Sequence, residues 1–144
     1  MASVTTKITR QNPDAGRKLS INYEKALKNG VKMAGMMVRA TAVESITNGS
    51  ASGIVYEKYN PRRTHRASSP GDPPAADTGY LHNNITFTID GDGLGADIES
   101  RASYSGYLEF GTSKMQARPF MQPAIEENRP KIRRLMANLA KGAN

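Results

Sequence analysis

Between Ile21 and about Thr47, the residues Leu27, Val31, Ala34, Val38, Thr41 and Ser45 recur at alternating steps of four and three. That spacing lines side chains along one face of an α-helix, and Lys25, Lys28, Lys32 and Arg39 fall on another face. One long amphipathic helix in a chain of 144 residues constrains everything else, because its apolar stripe must be covered by whatever the remaining residues can build. Ser20 stands where a cap is needed, and Asn48-Gly49-Ser50 ends the helix. Gly30 and Gly35 inside it each cost about 1 kcal/mol relative to alanine, which points to another backbone packing closely there. Met33, Met36 and Met37 widen the stripe beyond a single face. Core packing accounts for them, and a partner groove is the other reading.

The rest of the chain offers a small sheet and a second helix. Residues 1 to about 18 are polar, basic and without hydrophobic periodicity, and read as a flexible or partner-docked arm. The segment 51–79 carries Pro61, Pro70, Pro73 and Pro74 and reads as a long extended, proline-rich loop, with Ile54, Val55, Tyr56 and Tyr59 able to form a short strand. Asp77-Thr78-Gly79 turns into a strand in which Ile85, Phe87 and Ile89 alternate with polar residues. Asp90-Gly91-Asp92-Gly93 reverses the chain, and Ala96 and Ile98 alternate with Asp97 and Glu99, so 83–100 reads as a β-hairpin with one buried face. A final helix is expected from about Pro123 to Ala140, with Ile125, Ile132, Leu135, Met136 and Leu139 on its apolar stripe. Pro130 removes a backbone bond to Glu126 and predicts a kink or restart. The expected fold is α+β: one domain over 1–144, with the N-terminal and C-terminal helices packed on a small antiparallel sheet.

Joining sheet to last helix is a bracket from Tyr104 to Pro123. Tyr104, Tyr107 and Leu108 stand at i, i+3 and i+4 and favour a short helical turn, stopped by Gly111. A strand is the rival, since Tyr104, Gly106, Leu108 and Phe110 also alternate. Glu109 sits within this apolar stretch and must stay solvated or find a cation or backbone N–H donors, Arg118 being the nearest cation downstream. Pro119 holds Arg118 extended, Phe120 supplies a large apolar anchor expected to be buried, and Pro123 suits the first position of a helix.

The run YSGYLEFGTSKMQARPFMQPAIEE resembles the tyrosine-rich, E-F-G-T, then R-P-F-x-x-P-A pattern of a family of neck and tail-component proteins of long-tailed, lambda-like bacteriophages. Tyr107, Glu109, Phe110, Gly111, Arg118, Pro119, Phe120 and Pro123 carry it. The resemblance extends upstream through SPGDPPAADTGYLHNNITFTI, with its G-x-P-P and T-G-x-L steps before a hairpin, and through the long first helix. It implies a non-catalytic structural protein of the virion, assembled in the host cytoplasm. In this family copies join in a ring, six by analogy, between the head connector and the tail tube or tail terminator around the path of the DNA.

Composition bears on these expectations. Hydrophobic residues make up 38% and aromatics 6% without tryptophan, so the core is modest and part of the chain is expected to pack only against neighbouring copies. With no cysteine, disulfides and thiolate metal sites are excluded. His65 and His82 are the only histidines and lack carboxylate neighbours in sequence, and the D-x-D-G run lacks the glutamate of a calcium loop, so no metal or cofactor is expected. No apolar run approaches the roughly 20 residues that span a bilayer, and the N-terminus has no signal-peptide core, which reads as a protein made in the cytoplasm, without a membrane partner. No nucleophile–base cluster or phosphate loop can be proposed, so an enzyme is not expected. The net charge of +7 suggests an anionic partner. Lys58, Arg62, Arg63 and Arg66 face only Glu57 in one loop and are the candidate contacts to a partner subunit or the DNA path, while Arg129, Lys131, Arg133, Arg134 and Lys141 cluster near the C-terminus. The alternative is a small basic nucleic-acid-binding module, against which the lack of exposed aromatics among the basic residues counts.

Overall fold

The computed structural model describes residues 4–9 and 21–142. Strand β1 (Val4–Thr9) is followed by helix α1 (Ile21–Thr47), a hairpin of β2 (Val55–Tyr59) and β3 (Arg62–Arg66), and the short helix α2 (Tyr80–Asn83). Strands β4 (Ile85–Ile89) and β5 (Gly95–Ser100), the short helix α3 (Ser105–Phe110) and helix α4 (Met121–Gly142) complete the chain. The architecture is α+β, with two long helices and a small antiparallel sheet.

The sheet has the order β1-β5-β4, with β5 central and both neighbours antiparallel to it. Val4 and Ile85 both lie opposite Ser100, and Thr6 and Phe87 both lie opposite Ile98. Because side chains alternate across a strand, this register gathers Val4, Ile85, Ala96, Ile98 and Ser100 on one buried face. The Asp90–Leu94 turn is closed by backbone bonds from Gly93 N–H to the Asp90 carbonyl (2.8 Å) and from Asp90 N–H to the Gly95 carbonyl (2.9 Å).

Helix α1 lies across the buried face and α4 lies along α1. The stripe that α1 buries is Val31, Ala34, Val38, Ala42 and Ile46. It leaves the expected positions Thr41 and Ser45 by one residue, because it runs on in steps of four, which carry the buried stripe gradually around the helix. The two glycines admit side chains, not backbone as expected. A Cβ on Gly30 would meet Met136 and Leu139 of α4, and one on Gly35 would stand 3.0 Å from the Phe87 ring. Arg39 Nε donates to the Ile85 carbonyl (2.7 Å), tying α1 to the start of β4. Between the helices, buried Asn128 donates from Nδ2 to Thr41 Oγ1 and to the Ala124 carbonyl, both at 2.8 Å. The first turns of α4 enter the core, with Phe120, Met121 and Ala124 beside Val38, Ile46 and Ile98. Phe120 is the largest fully buried side chain among the described residues, 0% exposed.

Several expectations are corrected. Val4–Thr9, expected within an arm over 1–18, is an edge strand: its partner β5 supplies the hydrogen bonds that polar sequence alone could not foretell. Residues 10–18 and the Ser20 cap lie outside the described residues. The segment 51–79 is no continuous loop, since β2 and β3 pair from Val55↔Arg66 to Tyr59↔Arg62 around Asn60-Pro61, leaving 67–79 irregular. A short helix, α2, intervenes between the Asp77–Gly79 turn and β4. Helix α4 begins at Met121, two residues before Pro123, and runs unbroken through Pro130 without a restart. Pro130 and Glu126 are both exposed, so water can take the carbonyl that the proline leaves without a donor.

Truncating Phe120 to alanine is expected to cost about 3–5 kcal/mol, a large share of the roughly 5–15 kcal/mol that holds a domain folded. Thermal or urea melts check this, and a variant melting within a degree or two of the parent would contradict the anchoring role.

Candidate functional site

Two constellations organise the surface that follows the core. The first joins α3 to α4. A helix that begins at Met121 leaves the N–H groups of Phe120, Met121, Gln122 and residue 123 without intrahelical acceptors. Neither Pro119 nor Phe120 can cap it, and its first turn contains no acidic residue. Glu109 supplies what is missing. Its Oε2 accepts from Phe120 N–H (2.9 Å) and Met121 N–H (3.0 Å), and its Oε1 accepts from Gln122 N–H (2.8 Å). The fourth donor does not exist, because residue 123 is proline. A buried carboxylate, 5% exposed, is thus matched to three donors and to the positive end of the helix dipole.

Of the partners open to Glu109, the backbone N–H donors are the ones it finds, and Arg118, the nearest cation downstream, contributes its own backbone: Arg118 N–H donates to the Leu108 carbonyl at 2.6 Å. Between them the chain turns at Gly111, whose φ of 76° suits glycine. A Cβ there would stand 2.8 Å from the Met115 carbonyl oxygen and 2.9 Å from Ala117 N. Of Tyr107 and the residues of the E-F-G-T and R-P-F blocks, Glu109 and Phe120 are buried, while Tyr107 and Phe110 are exposed, Phe110 by 74%. The helical reading of 104–110 holds, since 105–110 form α3. The absent cap at 119–120 was the signal in the sequence that could have pointed from α4 back to Glu109.

The second constellation holds the β2–β3 hairpin. Pleating and register place Tyr56 opposite His65 and Lys58 opposite Arg63 on one face, and Val55 opposite Arg66 and Tyr59 opposite Arg62 on the other. Asp77 serves the first face. Its carboxylate is bound by Lys58 Nζ and by both terminal nitrogens of Arg63, and His65 Nδ1 lies 3.6 Å away. Burial pushes the Asp77 carboxyl up, but the hydrogen bonds from Lys58 and Arg63 and the charges around it outweigh this and hold it below the ordinary value of 3.8. Burial, with Tyr80 and Asp77 nearby, pushes the Tyr104 hydroxyl upward.

This divides the four candidate contact residues. Lys58 and Arg63 are engaged within the chain by Asp77, a partner invisible to sequence because it lies beyond the hairpin in the irregular segment. Arg62 and Arg66 lie on the outer face and are exposed. Nor are the basic residues free of aromatic neighbours as expected. Tyr59, 74% exposed, lies opposite Arg62, and its hydroxyl donates to Glu57 Oε2 at 2.9 Å. Ile54 (70%), Val55 and Tyr56 add exposed apolar surface to the same hairpin, as do Met33 and Met36 on α1. Among the described residues no three His, Asp or Glu side chains gather as a metal site, and no helix is long and apolar enough to cross a membrane. Compared with family models, curated proteins and solved structures, the chain matches none.

Glu109→Ala leaves three helix-end donors facing a buried void, and a loss of at least about 2 kcal/mol is expected. Glu109→Gln keeps acceptor capacity and is expected to lose less; equal stability of Glu109→Ala and the parent in urea melts would refute the capping role. A group with a depressed folded-state pKa stabilises the fold above its unfolded pKa and loses that contribution as pH falls through the folded value. The Asp77 contribution is therefore complete near neutrality and begins to fall only as pH drops below the ordinary value of 3.8, going as pH passes through the lower folded value. Asp77→Asn is expected to lower the melting temperature at pH 6, and its difference from the parent to shrink progressively as pH falls below 3.8, as read by melts across pH.

Proposed function

We propose that the chain is a structural protein of a bacteriophage neck, forming a ring that joins the head connector to the tail or completes the tail end. The observation that carries this reading is the amount of large apolar surface left open on an otherwise well-formed fold: Ile54, Val55 and Tyr59 on the hairpin, Tyr107 and Phe110 on α3, and Met33 and Met36 on α1. Surface of this kind marks sites of association. Distinct patches that complement each other head to tail close into rings when the rotation permits. The buried link between Glu109 and Phe120–Gln122 is consistent with the resemblance, because it makes the E-F-G-T and R-P-F blocks one unit that presents Tyr107 and Phe110 outward.

A second reading is favoured by one observation. Tyr59 beside Arg62, and Tyr56 beside His65, give the hairpin the mixture of aromatic and cationic side chains that stacks on and neutralises nucleic acid. Salt dependence separates the two, since binding through phosphate contacts weakens steeply as salt rises.

Light scattering on the purified chain is expected to find an oligomer that persists in high salt and is lost in a Tyr59→Ser, Phe110→Ser double variant. A monomer that binds duplex or single-stranded DNA with a steep salt slope, weakened by Arg62→Glu, Arg66→Glu, would instead support the second reading.

A further inference from the structure

Four strands among the described residues have an open side, β1 and β4 at the edges of the larger sheet and β2 and β3 in the hairpin. Three of them carry the charges that blunt an edge: Lys7 in β1, Glu57 and Lys58 in β2, and Arg62, Arg63 and Arg66 in β3. Strand β4 is the exception. Ile85-Thr86-Phe87-Thr88-Ile89 contains neither charge nor proline, and its register with β5 runs without a bulge from Ile85↔Ser100 to Ile89↔Ala96.

The hydrogen bonds at the two ends of the β4–β5 ladder fix which backbone groups are spare. Arg101 N–H donates to the Asn84 carbonyl (3.0 Å), and Asp90 N–H donates to the Gly95 carbonyl (2.9 Å). Bonded pairs recur at every second position of an antiparallel ladder, so Thr86 and Thr88 face β5 while Ile85, Phe87 and Ile89 direct their N–H and C=O groups away from the sheet. Arg39 Nε takes up the Ile85 carbonyl. Among the described residues no such bond reaches the outward groups of Phe87 or Ile89. Thr88 is exposed, Phe87 half-buried and Ile89 38% exposed, so the free end of this edge is open to a partner strand.

The order of side chains says which strand fits. Isoleucine, threonine, phenylalanine, threonine, isoleucine reads the same in both directions, as a strand that pairs with its own copy about a twofold axis requires. Antiparallel pairing centred on Phe87 sets Phe87 opposite its counterpart, Ile85 opposite Ile89 and Thr86 opposite Thr88. Phe87 then exchanges both backbone bonds with its counterpart, and every facing side-chain pair is of a matched, favourable kind. We propose that β4 is a self-pairing edge, through which two copies of the chain join their sheets into one. Each copy uses up its uncharged edge in the contact, so association through β4 stops at two. This pairing is isologous and does not rest on the ring reading, whose surfaces lie on the β2–β3 hairpin, α3 and α1.

The test uses the full chain carrying Tyr59→Ser and Phe110→Ser, so that loss of the ring and loss of the β4 contact are read separately. Raised to the concentrations used for nuclear magnetic resonance, this variant is expected to pass from monomer to dimer in sedimentation velocity. Register is read in a mixture of two samples. One is isotope-labelled; the other carries a nitroxide on Thr88→Cys, a unique thiol because the chain has no cysteine. Broadening of the labelled chain is expected to centre on the Thr86 amide. Thr88→Lys, at an exposed side chain, and Ile89→Pro, which removes an outward N–H and no ladder bond, are expected to stay folded and to weaken the dimer about tenfold or more. A chain that stays monomeric, broadening centred on Thr5–Lys7 or on the β2–β3 hairpin, or undiminished dimerisation of both edge variants would each overturn the proposal.

Discussion

The carboxylate of Glu109 is the interaction on which the arrangement of this chain depends. An α-helix cannot begin inside a protein unless its first N–H groups find acceptors, and α4 begins where the sequence offers none of its own. By accepting from Phe120, Met121 and Gln122, Glu109 fixes both the position and the direction of α4 relative to α3. Pro123 removes the remaining donor, so the helix end is fully satisfied while buried. Phe120 can then enter the core without leaving stranded backbone behind it. Desolvating a carboxylate is costly. Three charge-assisted hydrogen bonds and a helix N-terminus offset that cost in a way that a single cation at the surface could not.

A second carboxylate works in the opposite environment. Asp77 is partly exposed and holds a two-stranded hairpin, an element that is marginal on its own in water. The hairpin exposes its large apolar side chains, Val55, Tyr56 and Tyr59. It is held by Asp77 and by backbone bonds at its base, Gly53 N–H to the Ala67 carbonyl and Ala67 N–H to the Ile54 carbonyl. Such a construction keeps one face electrostatically tethered and the other free, so Tyr59, Arg62 and Arg66 are displayed in a fixed geometry. Preorganised display lowers the ordering cost of association, which suits either proposed partner class.

Periodicity was legible where one element faced one environment. The 3.6-residue repeat of α1, the alternation in β4 and β5, the glycine stop at 111 and the apolar anchor at 120 depend on local geometry and on burial of a single face, and each can be read along the chain. The edge strand β1 was not, because Thr5, Thr6 and Lys7 carry little apolar signal and their pairing to β5 is a backbone matter. The hairpin was obscured for the same reason: Pro61 and a run of cations read as loop, and only cross-strand pairing and a distant aspartate make them strands.

By itself, then, the amino-acid sequence determined the α+β class, the two long helices, the β4–β5 hairpin and the burial of Phe120, all consequences of side-chain spacing and hydrophobicity within a few residues. Tertiary structure alone decided the partners of the charged groups. Among the partners open to it, Glu109 met the backbone donors of a helix end, Lys58 and Arg63 met Asp77 within the chain, and Arg118 was left lining a cleft. The physical reason is that a charge is satisfied by whatever donor or acceptor the fold brings within about 3 Å, and such neighbours are set by the packing of whole elements, not by distance along the chain.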